Sequence, residues 1–126
     1  MSKERLQILV LDDEPIVGKR LRTALEKNGH VVETFEDSRL ALRRLDERDF
    51  DIIVTDVRME EVDGIQVLEH VLERSARTKV IVITGYATVE VAREALAKGA
   101  FDFIAKPFKP DDLRQVIKKA AETLEG

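Results

Sequence analysis

The sequence predicts a doubly wound α/β fold, a five-stranded parallel sheet with helices on both faces, and three observations carry that prediction. Five short apolar runs rich in β-branched residues recur along the chain, and each is followed by a longer stretch with apolar residues at helical spacing. The connections are only a few residues long, which implies right-handed crossovers between parallel strands. The runs also end in side chains that carry chemistry: Asp12-Asp13, Asp56, Thr84 and Lys106.

The first strand is Ile8-Leu9-Val10-Leu11, closing on Asp12-Asp13-Glu14. Pro15 suits the first turn of a helix, Val17, Leu21, Ala24 and Leu25 form its apolar stripe, and Asn28-Gly29 supplies the stop. His30-Val31-Val32-Glu33-Thr34-Phe35 alternates more, as a strand nearer the sheet edge does. Asp37 or Ser38 can cap a second helix, with Leu40, Ala41, Leu42 and Leu45 expected inward and Arg43, Arg44, Glu47 and Arg48 toward water. Asp51-Ile52-Ile53-Val54-Thr55-Asp56 reads as a central strand buried on both faces, and Asp56 falls where it runs out. The polar loop Val57-Arg58-Met59-Glu60-Glu61-Val62-Asp63-Gly64 then leads to a helix on Ile65, Leu68, Val71 and Leu72.

Lys79-Val80-Ile81-Val82-Ile83-Thr84 is the fourth strand and finishes on a hydroxyl. Thr88 can cap the fourth helix, with Val89, Ala92, Ala95 and Leu96 expected inward and Gly99 at its end. The fifth strand, Asp102-Phe103-Ile104-Ala105, runs into Lys106-Pro107. Pro110, Asp111 and Asp112 open the last helix favourably for its dipole, and Leu113, Val116, Ile117, Ala120 and Leu124 keep helical spacing.

The bulk composition narrows the function. At 126 residues the chain is expected to be a single domain over residues 1–126, burying roughly two thirds of its unfolded surface. The absence of cysteine excludes disulfides and thiolate metal sites. A net charge of -4, from 25 acidic and 21 basic residues without a basic block, argues against nucleic acid as a direct ligand. Met1-Ser2-Lys3-Glu4-Arg5 leads straight into a strand, and no stretch has signal-peptide or bilayer length. A cytoplasmic protein without a membrane partner is expected.

A five-stranded doubly wound sheet usually takes the flavodoxin-like order 2-1-3-4-5, (βα)5, which makes strands one and three neighbours at the switch point. Asp12, Asp13 and Asp56 would then meet in one crevice, with Thr84 and Lys106 along the same rim. Carboxylates so close repel one another unless some are protonated or a hard cation neutralises them. Magnesium suits the donors, since it prefers oxygen, keeps several waters and is typically held by one or two carboxylates plus phosphate oxygens. The open positions invite a phosphoryl group. Asp56 is the natural nucleophile; Asp13 is expected on the metal and Asp12 one water out, Lys106 on a carboxylate or phosphoryl oxygen, and the Thr84 hydroxyl on a phosphoryl oxygen. Ordinary alternatives remain at this stage: Asp13 or Glu14 as a helix-start acid, Thr84 as a loop cap, Lys106 as a solvated lysine. Glu14 is assigned to the helix dipole rather than to the metal.

The ordered set Asp12-Asp13, Asp56, Thr84-Gly85 and Lys106-Pro107-Phe108 resembles the response-regulator receiver domains of two-component signalling, over essentially the whole chain. The resemblance implies that Asp56 accepts a phosphoryl group from a sensor histidine kinase. It implies that Asp12, Asp13, Asp56 and the backbone carbonyl of Arg58 hold Mg2+, that Lys106 pairs with the phosphoryl group, and that the Lys106-Pro107 bond is cis. It further implies that Thr84 moves toward the phosphoryl oxygens and that Phe103 turns into the vacated space. That change would remodel the face of helix four, strand five and helix five for an output domain, a downstream protein or a phosphorylation-dependent homodimer. From spacing alone, Phe103 is equally well read as core packing.

Met59 is followed by Glu60 where the family often has proline. Arg58 and Tyr86, two residues past Asp56 and Thr84, would overhang the acyl phosphate and slow its hydrolysis. The stretches Thr84 to Glu90 and Gly99 to Phe103 resemble receivers of nitrogen-regulation-type transcription activators. Three other readings fit less well. A flavin or nucleotide site needs a phosphate loop after strand one, where this chain has acids. A phosphorylation-independent interaction module would not need the full residue set, and a turnover phosphatase needs an Asp-x-Asp arrangement that is missing.

Overall fold

Side chains that point alternately to opposite faces along each strand divide the molecule into two apolar layers on either side of one sheet. The computed structural model describes residues 5–57, 63–85 and 89–125. Strands β1 (Gln7–Leu11), β2 (Val31–Phe35), β3 (Ile52–Asp56), β4 (Lys79–Thr84) and β5 (Asp102–Ala105) alternate with helices α1 (Pro15–Lys27), α2 (Ser38–Glu47), α3 (Gly64–Arg74), α4 (Val89–Ala97) and α5 (Pro110–Glu125). All neighbouring pairs are parallel, in the order β2-β1-β3-β4-β5. The expected fold class and strand order are both found.

Ile8, Val10, Ile52, Val54, Ile81 and Ile83 point to one side, where Leu21 and Leu25 of α1 and Leu113 and Ile117 of α5 cover them. Leu9, Leu11, Ile53, Val80 and Val82 point to the other, against Ala41 and Leu45 of α2, Leu68 and Val71 of α3 and Ala95 of α4. Every residue of β3 is buried, and each of its isoleucines contributes about 1.5–3 kcal/mol of transfer free energy. β2 and β5, at the two edges, are only partly covered.

Local signals set the helix ends. Pro15 occupies the first turn of α1, and Gly29, at φ +88°, takes the left-handed conformation that stops it. The Asp37 side chain accepts from the Arg39 N–H at 2.8 Å to cap α2. Asp63 and Gln66 form a reciprocal capping box at α3, which satisfies two helix N–H groups that otherwise lack partners. Thr88, the expected cap of α4, lies outside the described residues.

Three inward assignments are corrected. Leu40, Val89 and Leu96 are 50%, 61% and 49% exposed. α2 aligns its buried stripe on Ser38, Ala41 and Leu45, and Leu40 stands about 100° round the helix from Ala41, toward solvent. In α4 the stripe runs through Ala95 with Val91 partly covered, which turns Val89 and Leu96 outward. Arg44 and Arg48 also depart from expectation. Arg44 reaches the Glu33 carboxylate with two bonds, of 2.8 and 3.0 Å, while Arg48 donates to Gln7 Oε1 at 3.1 Å and lies 5.0 Å over the Phe50 ring. These arginines tie α2 to the β2 edge. Among the described residues no helix is long and apolar enough to cross a membrane.

His30, at the entry to β2, accepts a hydrogen bond on Nδ1 from the Leu6 N–H at 3.1 Å. Burial lowers its pKa from the ordinary 6.5. The unfolded chain therefore takes up this proton more readily than the folded one, so the contribution is complete above the unfolded pKa and is lost as pH falls from there toward the folded value. Urea midpoints measured between about pH 7 and about pH 5.5 are expected to fall, and to fall less in His30→Asn, whose Oδ1 can stand in for Nδ1 without protonating.

Candidate functional site

Four strand ends meet at one rim. Asp56 is the last residue of β3 and 5% exposed, Asp12 follows β1 at 1%, and Thr84 closes β4 at 0%. The Lys106 N–H donates to the Thr84 carbonyl at 2.8 Å, which extends the β4–β5 pairing by one step and carries Lys106 to the same rim. The peptide bond from Lys106 to Pro107 is cis, as the resemblance implied.

The lysine ammonium is the hub. Nζ lies 2.7 Å from Asp12 Oδ2, 2.8 Å from Asp56 Oδ2 and 3.3 Å from Glu14 Oε1. Asp12 is also held through its other oxygen, which accepts from the Glu14 N–H at 2.8 Å. Its Oδ2 is buried and meets the Lys106 ammonium as a close charge contact, with no directed hydrogen bond among the described residues. Burial pushes the Asp12 carboxyl above its usual range, opposed by Lys106 and the Glu14 N–H and assisted by Asp56. For Lys106 burial works to lower the pKa, but Asp12 and Asp56 together outweigh it and hold the ammonium above its ordinary value.

One carboxylate oxygen from each of Asp12, Asp13, Glu14 and Asp56 lies within 4.8 Å of the others. These are hard donors, two buried and two exposed, and one lacks a directed hydrogen bond. Such a set fits a small divalent cation that retains water, and it fits magnesium better than zinc, which takes nitrogen or sulfur more readily. Thus the expected Asp12, Asp13, Asp56, Thr84 and Lys106 are brought to one rim. Phe103 lies on β5 beside Val82, partly buried against the layer of α2, α3 and α4. Arg58, Tyr86, Met59 and Glu60 lie outside the described residues.

Two residues were missed. Glu14, assigned to the helix dipole, stands at the N-terminus of α1 and also contacts Lys106, a contact that nothing in its position next to Asp13 foretells. Gly64 was read as a loop residue, yet a Cβ there would stand 2.2 Å from the Asp56 carbonyl oxygen. Its N–H donates to the Val57 carbonyl at 2.9 Å, pinning the start of α3 to the end of β3. A glycine directly after a capping acid is the only sequence sign of that close approach.

Residues 8–118 match the family described as the response regulator receiver domain. The regulatory protein AtoC of Escherichia coli K12 is 39% identical over 116 residues, which cover 92% of this chain and 25% of AtoC. Among solved structures, the beryllofluoride-activated NtrC4 receiver domain dimer superposes with a TM-score of 0.88 at 36% identity, covering 96% of this chain and 98% of that one. NtrX from Brucella abortus superposes at 0.89 with 32% identity, covering 96% of this chain and 28% of its own. The chain spans about a quarter of the length of the curated relatives it matches.

Two outcomes test the geometry. Gly64→Ala is expected to cost about 1–3 kcal/mol in urea unfolding, because backbone rather than a flexible side chain must give way; an unchanged midpoint would remove the close approach. Asp12→Asn in chelator is expected to be more stable than the parent by about 0.5–2 kcal/mol, since it keeps the acceptor for Glu14 and relieves a buried charge. Added Mg2+ should then raise the parent's melting temperature more than the variant's.

Proposed function

Since the chain belongs to the family of response regulator receiver domains, we propose that its phosphoacceptor is Asp56 and that a phosphohistidine of a sensor histidine kinase is the donor. The family makes it a phosphoacceptor domain of two-component signalling rather than an enzyme with turnover, and its curated relatives include NtrC-type regulators. The observation that carries the assignment to Asp56 is the Lys106 ammonium, 2.8 Å from the Asp56 carboxylate and braced from the other side by Asp12.

In this reading a carboxylate oxygen of Asp56 attacks phosphorus, the N–P bond of the donor breaks, and the imidazole leaves with the electron pair. The burial of Asp56 restricts water on the flank opposite the donor and holds the attacking oxygen at the rim. Lys106 neutralises the oxygens of the arriving phosphoryl group. Asp12, Asp13, Asp56 and the Arg58 carbonyl would hold Mg2+, which when bound supplies charge neutralisation for the phosphoryl oxygens. The Thr84 hydroxyl, at the end of the neighbouring strand, donates to the new phosphoryl group.

Thr84 and Phe103 then act as the switch, with Phe103 turning toward the space Thr84 leaves and altering the face of α4, β5 and α5. That face is the proposed contact for an output domain, a downstream protein or a second phosphorylated copy. Residues 1–126 are read as a single receiver domain acting in the cytoplasm, without direct contact to nucleic acid or membrane.

Intact-mass spectrometry after incubation with acetyl phosphate and Mg2+ is expected to show the gain of one phosphoryl group, absent in Asp56→Asn and absent in chelator. An unchanged parent mass under conditions that label another receiver would overturn the assignment.

A further inference from the structure

Glu14 is the one carboxylate of the acidic cluster that the proposed phosphoryl transfer gives no role. It stands at the N-cap of α1, yet its side chain makes no capping bond. Its Oε1 instead turns to Lys106 Nζ at 3.3 Å, while the carboxylate stays 61% exposed. Lys106 is thus shared between two buried acids, which the strand ends hold in place, and one acid on the solvent side. Glu14 and Lys106 also line, with Pro107 and Phe108, an open cavity of about 440 Å³ beside the acidic cluster.

Any phosphoryl group that reaches Asp56 arrives with anionic oxygens and needs the same ammonium. Asp12 and Asp56 cannot withdraw, because one flanks the reaction and the other performs it. Glu14 can, since its side chain is exposed and, among the described residues, bonds only to Lys106. Until it withdraws, it occupies one face of the lysine and adds a like charge at the mouth of the pocket.

We propose that Glu14 is a positioning residue that sets the rate of phosphorylation, holding Lys106 and opposing anionic donors until it is displaced. The proposal rests on Asp56 being the acceptor. Its strength follows from Coulomb's law: one charge at roughly 5 Å in solvent-rich surroundings changes the rate by about threefold to tenfold for a doubly charged donor, less for a singly charged one, and less again in salt.

The test compares acetyl phosphate, a dianion, with phosphoramidate, which carries one negative charge fewer. In both reactions an Asp56 oxygen bonds to phosphorus as the leaving-group bond breaks, acetate departing with the O–P electron pair or ammonia with the N–P pair. Rates are measured at saturating Mg2+ for the parent, Glu14→Gln and Glu14→Asp. Glu14→Gln is expected to react about threefold to tenfold faster with acetyl phosphate, to gain less with phosphoramidate, and to lose most of the gain at about 0.5 M salt. Glu14→Asp, which keeps the charge on a shorter side chain, should gain far less than Glu14→Gln with acetyl phosphate. A purely structural role would change both donors equally and ignore salt. A parent that labels on Asp56 at the same rate as Glu14→Gln overturns the role of Glu14 alone; a parent that takes up no phosphoryl group overturns the acceptor assignment, and this inference with it.

Discussion

One ammonium group between two buried carboxylates is the contact on which the rest of this structure depends. Lys106 is 94 residues from Asp12 in sequence and yet 2.7 Å from its carboxylate. The chain can close that distance only because β3 lies between β1 and β4 and because β5 runs parallel to β4 in a register that pairs Thr84 with Ala105. A strand slip of one residue would turn the lysine to the other face of the sheet. Without that ammonium, Asp12 and Asp56 would lose the countercharge that offsets their burial, a change that ordinarily destabilises by about 3–5 kcal/mol. The doubly wound order is therefore more than a way to bury isoleucine, because it is the geometry that lets these acids be buried at all.

Much of this was legible in the sequence, and the reason is the size of the signals. Runs such as Ile52-Ile53-Val54 and Val80-Ile81-Val82-Ile83 are long enough and β-branched enough to have a single reading, and the connections are too short for any topology but parallel crossovers. The usual strand order for such a sheet then brought Asp12, Asp56 and Lys106 to one rim. What failed was finer than a strand. Leu40, Val89 and Leu96 are apolar residues near an inward stripe but off it, and periodicity cannot separate them from residues on it when the helix is only nine or ten residues long. Arg44 was placed toward water by its charge, whereas its partner Glu33 comes from the adjoining strand, a pairing that only tertiary structure creates. Gly64 and Glu14 are neighbours of an obvious motif, and local sequence does not show which backbone or which lysine they will meet.

The site also shows how a binding pocket is held at the expense of local stability. Asp12 is buried, its carboxyl is pushed above the usual range, and one of its oxygens lacks a directed hydrogen bond. A pocket optimised for the unliganded chain would hold an amide or an apolar group there. In the proposed phosphotransfer site, charge preorganised where water cannot screen it is what a divalent cation and a phosphoryl group would need, and Lys106 occupies that field here.

The unequal seating of the helices points to where such a change in charge can be transmitted. α3 is anchored by five buried residues and a reciprocal cap, whereas α4 buries Ala95 and leaves Val89 and Leu96 outward. Its far end is held to α3 by the exposed Lys98–Glu69 pair, at 3.3 Å, a type of contact worth about 0–1 kcal/mol. An element with so little buried surface shifts at low free-energy cost. β5, the edge strand beside it, carries Phe103 on one side and delivers Lys106 to the pocket on the other. In the proposed switch, a force on Lys106 or Thr84 would act first on α4 and β5, against an α3 that Gly64 pins to the Val57 carbonyl at the end of β3.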